Sequence, residues 1–291
     1  MKILITGKTS RLGRAFIDYM DEHHPGEMTV DTVSLRDDEW KHQDWSVYDA
    51  VLHLAGVTKS DDGRVSDKEK AHYYAINRDL SIDAAKKAKA DGVKYFLFAS
   101  TMMVYGNSAP IGSSFTIDKS TKPVPASVYG ASKLDGENGI LELANDAFKV
   151  AIVREPVIYG EHIQGEFHKL WLLSGKLAFF PLIDSTKSYI YEGNLCECFR
   201  QLLGRQKEGI FCPQNAEVPT VCEIFSVMRK VRKKKCHMFG HLEGLLRVMS
   251  HFTRYVNAVF NDQKYTKDLS VIDGIDYQIF SLKESVEKCR K

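Results

Sequence analysis

Lys2-Ile-Leu-Ile-Thr6 is an apolar, β-branched run that breaks at once into Gly7-Lys-Thr-Ser-Arg-Leu-Gly13 and then into a helical pattern over residues 14–23. An unbroken apolar run of this length suits a strand covered on both faces, as at the centre of a parallel sheet. Strand, glycine turn and helix in that order form a βα unit able to receive a phosphate. Glycines let the backbone approach a pyrophosphate, and the first N–H groups of the helix have no intrahelical partner. The candidate contacts are Gly7, Ser10, Arg11, Leu12 and Gly13. Ser10 stands where a middle glycine is usual, and its hydroxyl would act as an extra donor. The competing reading is a plain βα turn with no ligand.

The same alternation continues down the chain. Residues 28–35 read as a second strand, and Asp49-Ala-Val-Leu-His-Leu-Ala-Gly56 as a third that ends in small residues. Residues 68–91 carry a helical pattern stopped by Gly92, and Tyr95-Phe-Leu-Phe-Ala99 is a fourth strand. A polar loop over 107–126 leads to a helix that holds Tyr129 and runs to residue 145, followed by the strand Lys149-Val-Ala-Ile-Val153. Strands alternating with helices over residues 2–153 predict an α/β fold with a Rossmann-type doubly wound parallel sheet. Beyond residue 160 the periodicity loosens into shorter helices and loops. The expected division is a dinucleotide-binding domain over 1–160 and a smaller, mostly helical substrate lobe over 161–291, partly interleaved with the sheet.

Composition removes several function classes. Of 291 residues, 44% are hydrophobic and 27% charged, as in an ordinary globular protein. The net charge of +2, with acids and bases interspersed, leaves no nucleic-acid footprint. The one basic cluster, Arg232-Lys-Lys-Lys235, is short and precedes a strand-like segment, so it reads as a solvated helix end. The six cysteines (Cys196, Cys198, Cys212, Cys222, Cys236 and Cys289) form no Cys-x-x-Cys pair and no array with histidines, which predicts reduced thiols and no metal. Met1 runs straight into a strand, leaving no room for a signal peptide, and no apolar run approaches the ~20 residues of a membrane span. The expectation is a cytoplasmic protein with no membrane partner.

Tyr129-Gly-Ala-Ser-Lys133 places two side chains one helical turn apart on one face. A tyrosine hydroxyl ionises near pH ~10 and is a poor base at neutrality. A lysine ammonium beside it favours the phenolate and makes the pair a usable acid and base. Ser100 and Thr101 follow the fourth strand, and open α/β sheets bind ligands at the C-terminal ends of their strands. A serine/threonine turn cap is the alternative there. The second strand normally ends in an acid that meets the adenosine ribose. Here the end reads Ser34-Leu-Arg-Asp37, where Arg36 suits a 2′-phosphate and Asp37 a ribose hydroxyl, with no preference between them. Asn77, unfavourable in a helix by propensity, reads equally as a buried tie between helix and strand or as a surface residue.

Together these stretches resemble the extended short-chain dehydrogenase/reductase superfamily, within its NAD-dependent epimerase/dehydratase family. The likeness is strongest to bacterial polysaccharide-cluster UDP-sugar 4-epimerases and 4-keto-sugar reductases, and it spans almost the whole chain. Thr6-Gly7 with Gly13 resembles the cofactor-phosphate turn, and His53-Leu-Ala-Gly56 the strand that passes the adenosine. Thr101 stands four residues before Tyr105-Gly106, at the place of the family's catalytic serine or threonine, and Tyr129 to Lys133 is similar to its catalytic signature. Arg154-Glu-Pro-Val-Ile-Tyr-Gly160 and Tyr189-Ile-Tyr-Glu-Gly-Asn-Leu195 resemble later landmarks. The resemblance implies catalysis by Thr101, Tyr129 and Lys133. It implies NAD as cofactor, with NADP not excluded, held by the glycine turn, Arg36 or Asp37, Leu54, Ala55, Gly56, Asn77, Tyr129, Lys133 and Pro156. A nucleotide-sugar substrate would meet Thr101, Val157, Glu166, Phe167 and Lys187. The family's common homodimer, joined through two helices per subunit, is a further expectation.

Departures from the family pattern narrow the reaction. Met102-Met103 occupies the place of the Asp-Glu pair that serves the 4,6-dehydratases, so that reaction lacks its acid and base. Val157 and Glu166 replace asparagines, and Lys187 replaces an arginine that grips the diphosphate, keeping the charge and losing the bidentate fork. The resemblance therefore implies a 4-epimerase of the UDP-glucose/UDP-galactose type, with or without an N-acetyl group. Tyr129 would take the C4 hydroxyl proton, Lys133 would lower the tyrosine pKa and bind the nicotinamide ribose, and Thr101 would hold the sugar oxygen. A nucleotide-linked 4-keto-sugar reductase would use the same three residues in one direction. A non-catalytic nucleotide-binding sensor on the same fold is the third reading.

Overall fold

In the computed structural model, residues 1–58, 65–162, 165–240, 244 and 259–289 are described. The first apolar run is strand β1 (Lys2–Thr6), buried along all but its first residue. Helix α1 (Arg11–His23) begins earlier than its apolar pattern because Ser10 caps it, its Oγ accepting the Gly13 N–H at 3.2 Å. Strand β2 (Thr29–Val33), the short helix α2 (Glu39–His42) and strand β3 (Ala50–His53) follow. The helix expected over 68–91 is three pieces: α3 (Asp67–Tyr74), a π-turn over Ala75–Leu80, and α4 (Ser81–Ala90). The widened turn contains Asn77, which is fully buried.

Strand β4 (Tyr95–Thr101) is buried throughout and passes into a 3₁₀ turn, Met102–Tyr105. Then come β5 (Thr116–Ile117), α5 (Val128–Leu141), β6 (Lys149–Glu155) and β7 (Val157–Tyr159). The later part of the chain holds α6 (Glu166–Lys176), β8 (Phe179–Pro181), β9 (Tyr189–Tyr191) and α7 (Glu192–Arg205). It continues through β10 (Gly209–Phe211), α8 (Val221–Val231), β11 (His237–Phe239) and β12 (Lys264–Tyr265), and through a closing helix at Leu282–Lys288.

Six strands form one parallel sheet in the order β10-β6-β4-β3-β1-β2. The chain steps outward from β1 in both directions, so a crevice opens at the C-terminal ends of β1 and β3. One face of the sheet packs on α1 and α7 through Phe16, Tyr19, Leu195, Phe199 and Leu202. The other packs on Ala84, Ala85 and Ala88 of α4 and Ile140 of α5, with Trp40 and Trp45. Residues beyond 160 thus supply both a covering helix, α7, and the edge strand β10. A separate apolar cluster joins α6, α8, β8, β9 and the closing helix around Trp171, Phe180 and Phe225. All six cysteines are free thiols: Cys196, Cys198, Cys212 and Cys222 are buried, and Cys236 and Cys289 are half-buried. Among the described residues no helix is long and apolar enough to cross a membrane.

Candidate active site

A cavity of about 1000 Å³ opens at the C-terminal ends of β1, β3, β4 and β6. Gly7 begins its phosphate-sized cradle with φ +91°, and a Cβ there would meet the Ala55 nitrogen at 3.0 Å, so only glycine fits. The Gly7 and Lys8 N–H groups both donate to the Val33 carbonyl, at 3.0 and 3.1 Å, which ties the turn to the end of β2. Gly7, Ser10, Arg11 and Leu12 line the cavity, whereas Gly13 sits behind it against Ile5 and Leu54. Leu54, Ala55 and Gly56 form the opposite lip. A side chain at Gly56 would run into the Asn77 carboxamide and the Lys133 ammonium, at 3.2 and 3.3 Å.

Asn77 does not reach the cavity. Its Oδ1 accepts the Val57 N–H at 2.9 Å, and its Nδ2 donates to the Val57 carbonyl and to Ser132 Oγ, both at 3.1 Å. It therefore holds the lip after β3 against α5 and acts through position. The two residues after β2 separate cleanly. Arg36 lines the cavity with Nη2 3.4 Å from Thr9 Oγ1, while Asp37 lies off it, its carboxylate accepting the Glu39 N–H at 3.2 Å. Lys8 and Arg11 join Arg36, so among the described residues this end carries three cations and no carboxylate.

Thr101, Tyr129 and Lys133 meet at the other end. Ser127 caps α5, accepting the Gly130 N–H at 3.0 Å, and Gly130 lets the helix press onto the turn after β4: a Cβ there would meet the Met103 carbonyl oxygen at 2.5 Å. That contact sets Tyr129 beside Thr101, and both line the cavity. Lys133 Nζ donates to the Ala99 carbonyl at 2.8 Å and lies 4.4 Å from the centre of the Phe98 ring. Burial raises the Tyr129 pKa, the Glu155 charge raises it further, and the hydrogen bond from Thr101 opposes them. Burial lowers the Lys133 pKa while the charges of Glu155 and Glu137 oppose it.

Glu155 went unassigned in the sequence, although an acid at the end of an otherwise apolar parallel strand was the available signal. Among the described residues it is the one carboxylate that lines the cavity, and its Oε1 is sealed from solvent with no hydrogen-bond partner among them. Burial pushes its pKa upward against the pull of Lys133. Behind it, Arg154 grips Glu137 with Nη2 at 2.7 Å and reaches Tyr105 Oη with Nη1 at 2.7 Å. Ser100, which lines the cavity, donates its hydroxyl to Glu137 as well. His53 is a packing residue bonded to Thr6 and Ser81 at 2.9 and 3.0 Å, and burial drives its pKa down to about 3.

Pro156 lines the cavity, but Val157, Glu166, Phe167 and Lys187 do not. Val157 begins β7 and pairs with Tyr189, and Phe167 stacks on Tyr159 with ring centres 3.9 Å apart. Lys187, 3% exposed, lies 3.0 Å from the Glu166 carboxylate, and burial lowers its pKa against that charge. Thr58, His72, Ile76 and Ile158 line the cavity and were not singled out in the sequence. Among the described residues no group of histidines, cysteines and acids could hold a metal ion.

Comparison with known proteins agrees with this geometry. Residues 1–174 match the family described as the RmlD substrate binding domain. A UDP-glucose 4-epimerase of Vibrio cholerae is 30% identical over 129 residues, 43% of this chain and 39% of that protein. The methionine adenosyltransferase 2 subunit beta of Bos taurus is 27% identical over 191 residues, 61% of this chain and 53% of that one. The chain thus spans about half the length, or less, of these curated relatives. Among solved structures, a dTDP-4-dehydrorhamnose reductase from Bacillus anthracis in complex with NADP superposes with TM-score 0.73 at 21% identity, covering 98% of this chain and 97% of that one. By its match over residues 1–174 the chain belongs to the RmlD substrate-binding-domain family, within the extended short-chain dehydrogenase/reductase superfamily.

Proposed function

We propose that this protein is an NAD(P)-dependent oxidoreductase acting at C4 of a nucleotide-linked sugar, and that it works as a 4-keto-sugar reductase. The observation that carries the reading is Tyr129 beside Thr101, with Lys133 one turn behind it, at the other end of the cavity from the glycine-turn cradle. The cradle fits a dinucleotide: its glycine backbone, the start of α1 and three cations suit the phosphates. When bound there, the nicotinamide supplies or accepts the hydride. Thr101 orients the C4 oxygen, Tyr129 hands its proton to that oxygen, and Lys133 sets the tyrosine's acidity. Lys133, which lines the cavity, would also bind the nicotinamide ribose.

Two observations favour the reductive direction. Burial, and after it the Glu155 charge, raise the Tyr129 pKa, so Tyr129 keeps its proton and is poised as a donor. The end of the cavity at Lys8, Arg11 and Arg36, where no acid stands among the described residues, suits the additional phosphate of NADP(H). The 4-epimerase is the second reading, supported by the Vibrio cholerae relative, and uses the same three residues twice. A non-catalytic sensor has no use for a Tyr129 held against Thr101.

The test follows nicotinamide oxidation by the purified chain supplied with NADPH and a nucleotide-linked 4-keto hexose. Tyr129→Phe is expected to cut turnover at least ~100-fold, the scale of a lost acid, with cofactor affinity and melting temperature unchanged. Full turnover in the folded variant would remove Tyr129 from the chemistry. Interconversion of UDP-glucose and UDP-galactose without added cofactor, with deuterium retained at C4, would give the epimerase first place.

A further inference from the structure

Away from the cavity, the end of α6 and the two strands β8 and β11 form a face of unusual composition. Residues 168–182 and 229–239 together contain eight lysines and arginines and no aspartate or glutamate, in a chain whose net charge is only +2. The structure brings these two stretches into one surface. β8 and β11 pair in parallel, Phe179 opposite His237, and the Leu182 N–H donates to the Phe239 carbonyl at 2.8 Å. The basic run is fixed to the last carbonyls of α6: Arg232 Nη2 donates to the Trp171 carbonyl at 3.1 Å and Lys234 Nζ to that of Gly175 at 2.7 Å. The Arg232 guanidinium also lies 3.7 Å from the centre of the Trp171 ring.

The same surface exposes large apolar side chains. Phe179 is 62% exposed, Leu182 57% and Leu172 52%, with Leu173, Leu177 and Phe239 beside them in the chain or across the strand pair. A soluble surface seldom gathers so many without a partner. Exposed lysines flank them at positions 169, 176, 230, 233, 234 and 235. Apolar side chains ringed by lysines, with no acid in either stretch and Glu287 only at the edge beside Lys230 and Lys233, match the boundary of an anionic bilayer. The apolar groups enter the headgroup region, and the lysine stems lie along it with their ammonium groups on the lipid phosphates.

We propose that this face docks the protein on an anionic lipid surface. A second copy is the poorer occupant, because a two-fold contact would set this concentrated positive charge against itself. A nucleic acid is poorer as well, since the exposed apolar groups are mainly leucines, which offer no face for base stacking. On this proposal the segment read from sequence as a solvated helix end becomes one edge of a binding surface, a departure from the expectation of no membrane partner.

Flotation of the full chain with vesicles provides the test, using phosphatidylcholine alone or with about one third phosphatidylglycerol, at roughly 0.02 M and 0.5 M salt. Binding is expected to the anionic vesicles at low salt, to fall at least tenfold at high salt, and to be absent with phosphatidylcholine. Phe179→Glu and the pair Lys233→Glu with Lys235→Glu should each weaken it at least tenfold while leaving the melting temperature and NADPH affinity unchanged. No binding at low salt overturns the proposal, as does binding that neither variant weakens. A concentration-dependent dimer lost in the same variants assigns the face to a second copy. Retention by duplex DNA matching that by vesicles, insensitive to Phe179→Glu, assigns it to nucleic acid. Either outcome also overturns lipid docking.

Discussion

Thr101 and Glu155 are register partners at the C-terminal ends of adjacent strands β4 and β6, and both line the cavity. Partners in a parallel ladder point to the same face of the sheet, so the carboxyl stands beside the hydroxyl that holds Tyr129. The acidity of Tyr129 therefore answers to burial first and then to the Glu155 carboxylate, with Thr101 opposing both.

Replacing Glu155 by glutamine removes the charge that raises the Tyr129 pKa and keeps a similar shape. Oxidation of a sugar hydroxyl needs the phenolate, so its rate climbs as pH rises through the tyrosine pKa. In Glu155→Gln that limb is expected to move to lower pH by roughly one unit, equivalent to ~1.4 kcal/mol. Lys133 also loses a negative neighbour, which lowers its own pKa and tempers the move. The pH dependence of kcat in the oxidative direction measures it, and an unmoved limb would show that the carboxyl is neutral over that range.

Glu137 and Arg154 predict a stability effect. Glu137 is fully buried and receives Arg154 through Nε at 3.2 and 3.1 Å and Nη2 at 2.7 Å. Glu137→Ala strands a guanidinium inside the protein, and the expected loss is about 3–5 kcal/mol in urea unfolding. The double variant with Arg154→Met should recover much of it, because the stranded charge is gone. A loss below ~1 kcal/mol in the single variant would mean that water reaches Arg154 and the pair behaves as a surface one.

The strands and helices through residue 153 were legible because each apolar run is long enough to carry a pattern. The edge strand β10 was not, since three residues carry no period. Thr101, Tyr129 and Lys133 could be picked out because local spacing on one helix and one strand end brings them together. Glu155 and the choice between Arg36 and Asp37 depend on which side chain a turn aims into the cavity, and spacing along the chain does not encode that. Lys187 was visible as a charge, but its partner Glu166 comes from a different element, 21 residues earlier.

Lys187 was expected to grip a diphosphate, and its place in the structure leads to another outcome. It is buried against Glu166, off the cavity. Lys187→Met should lower stability by about 1–3 kcal/mol, less than a fully buried pair because the Glu166 side chain is 37% exposed. NADPH affinity should stay within twofold of the parent. Thermal unfolding and fluorescence titration separate the two effects. Unchanged stability together with weakened UDP binding would restore the diphosphate role.

Arg36 decides the choice of dinucleotide. Sequence alone set Arg36 against Asp37 and predicted weak discrimination, whereas the fold turns the arginine into the cavity and holds the aspartate to the Glu39 N–H. With Lys8 and Arg11 nearby and, among the described residues, no acid to meet a ribose hydroxyl, a 2′-phosphate gains attraction there. The expected result is tighter binding of NADPH than NADH by at least ~10-fold, about 1.4 kcal/mol. Arg36→Ala should weaken NADPH by a similar factor and leave NADH almost unchanged, because only the phosphate loses its partner. Nicotinamide fluorescence titration of parent and variant measures all four constants. Equal affinities in the parent would show that Arg36 faces solvent when the cofactor binds, and the case for the reductive direction would then rest on Glu155 alone.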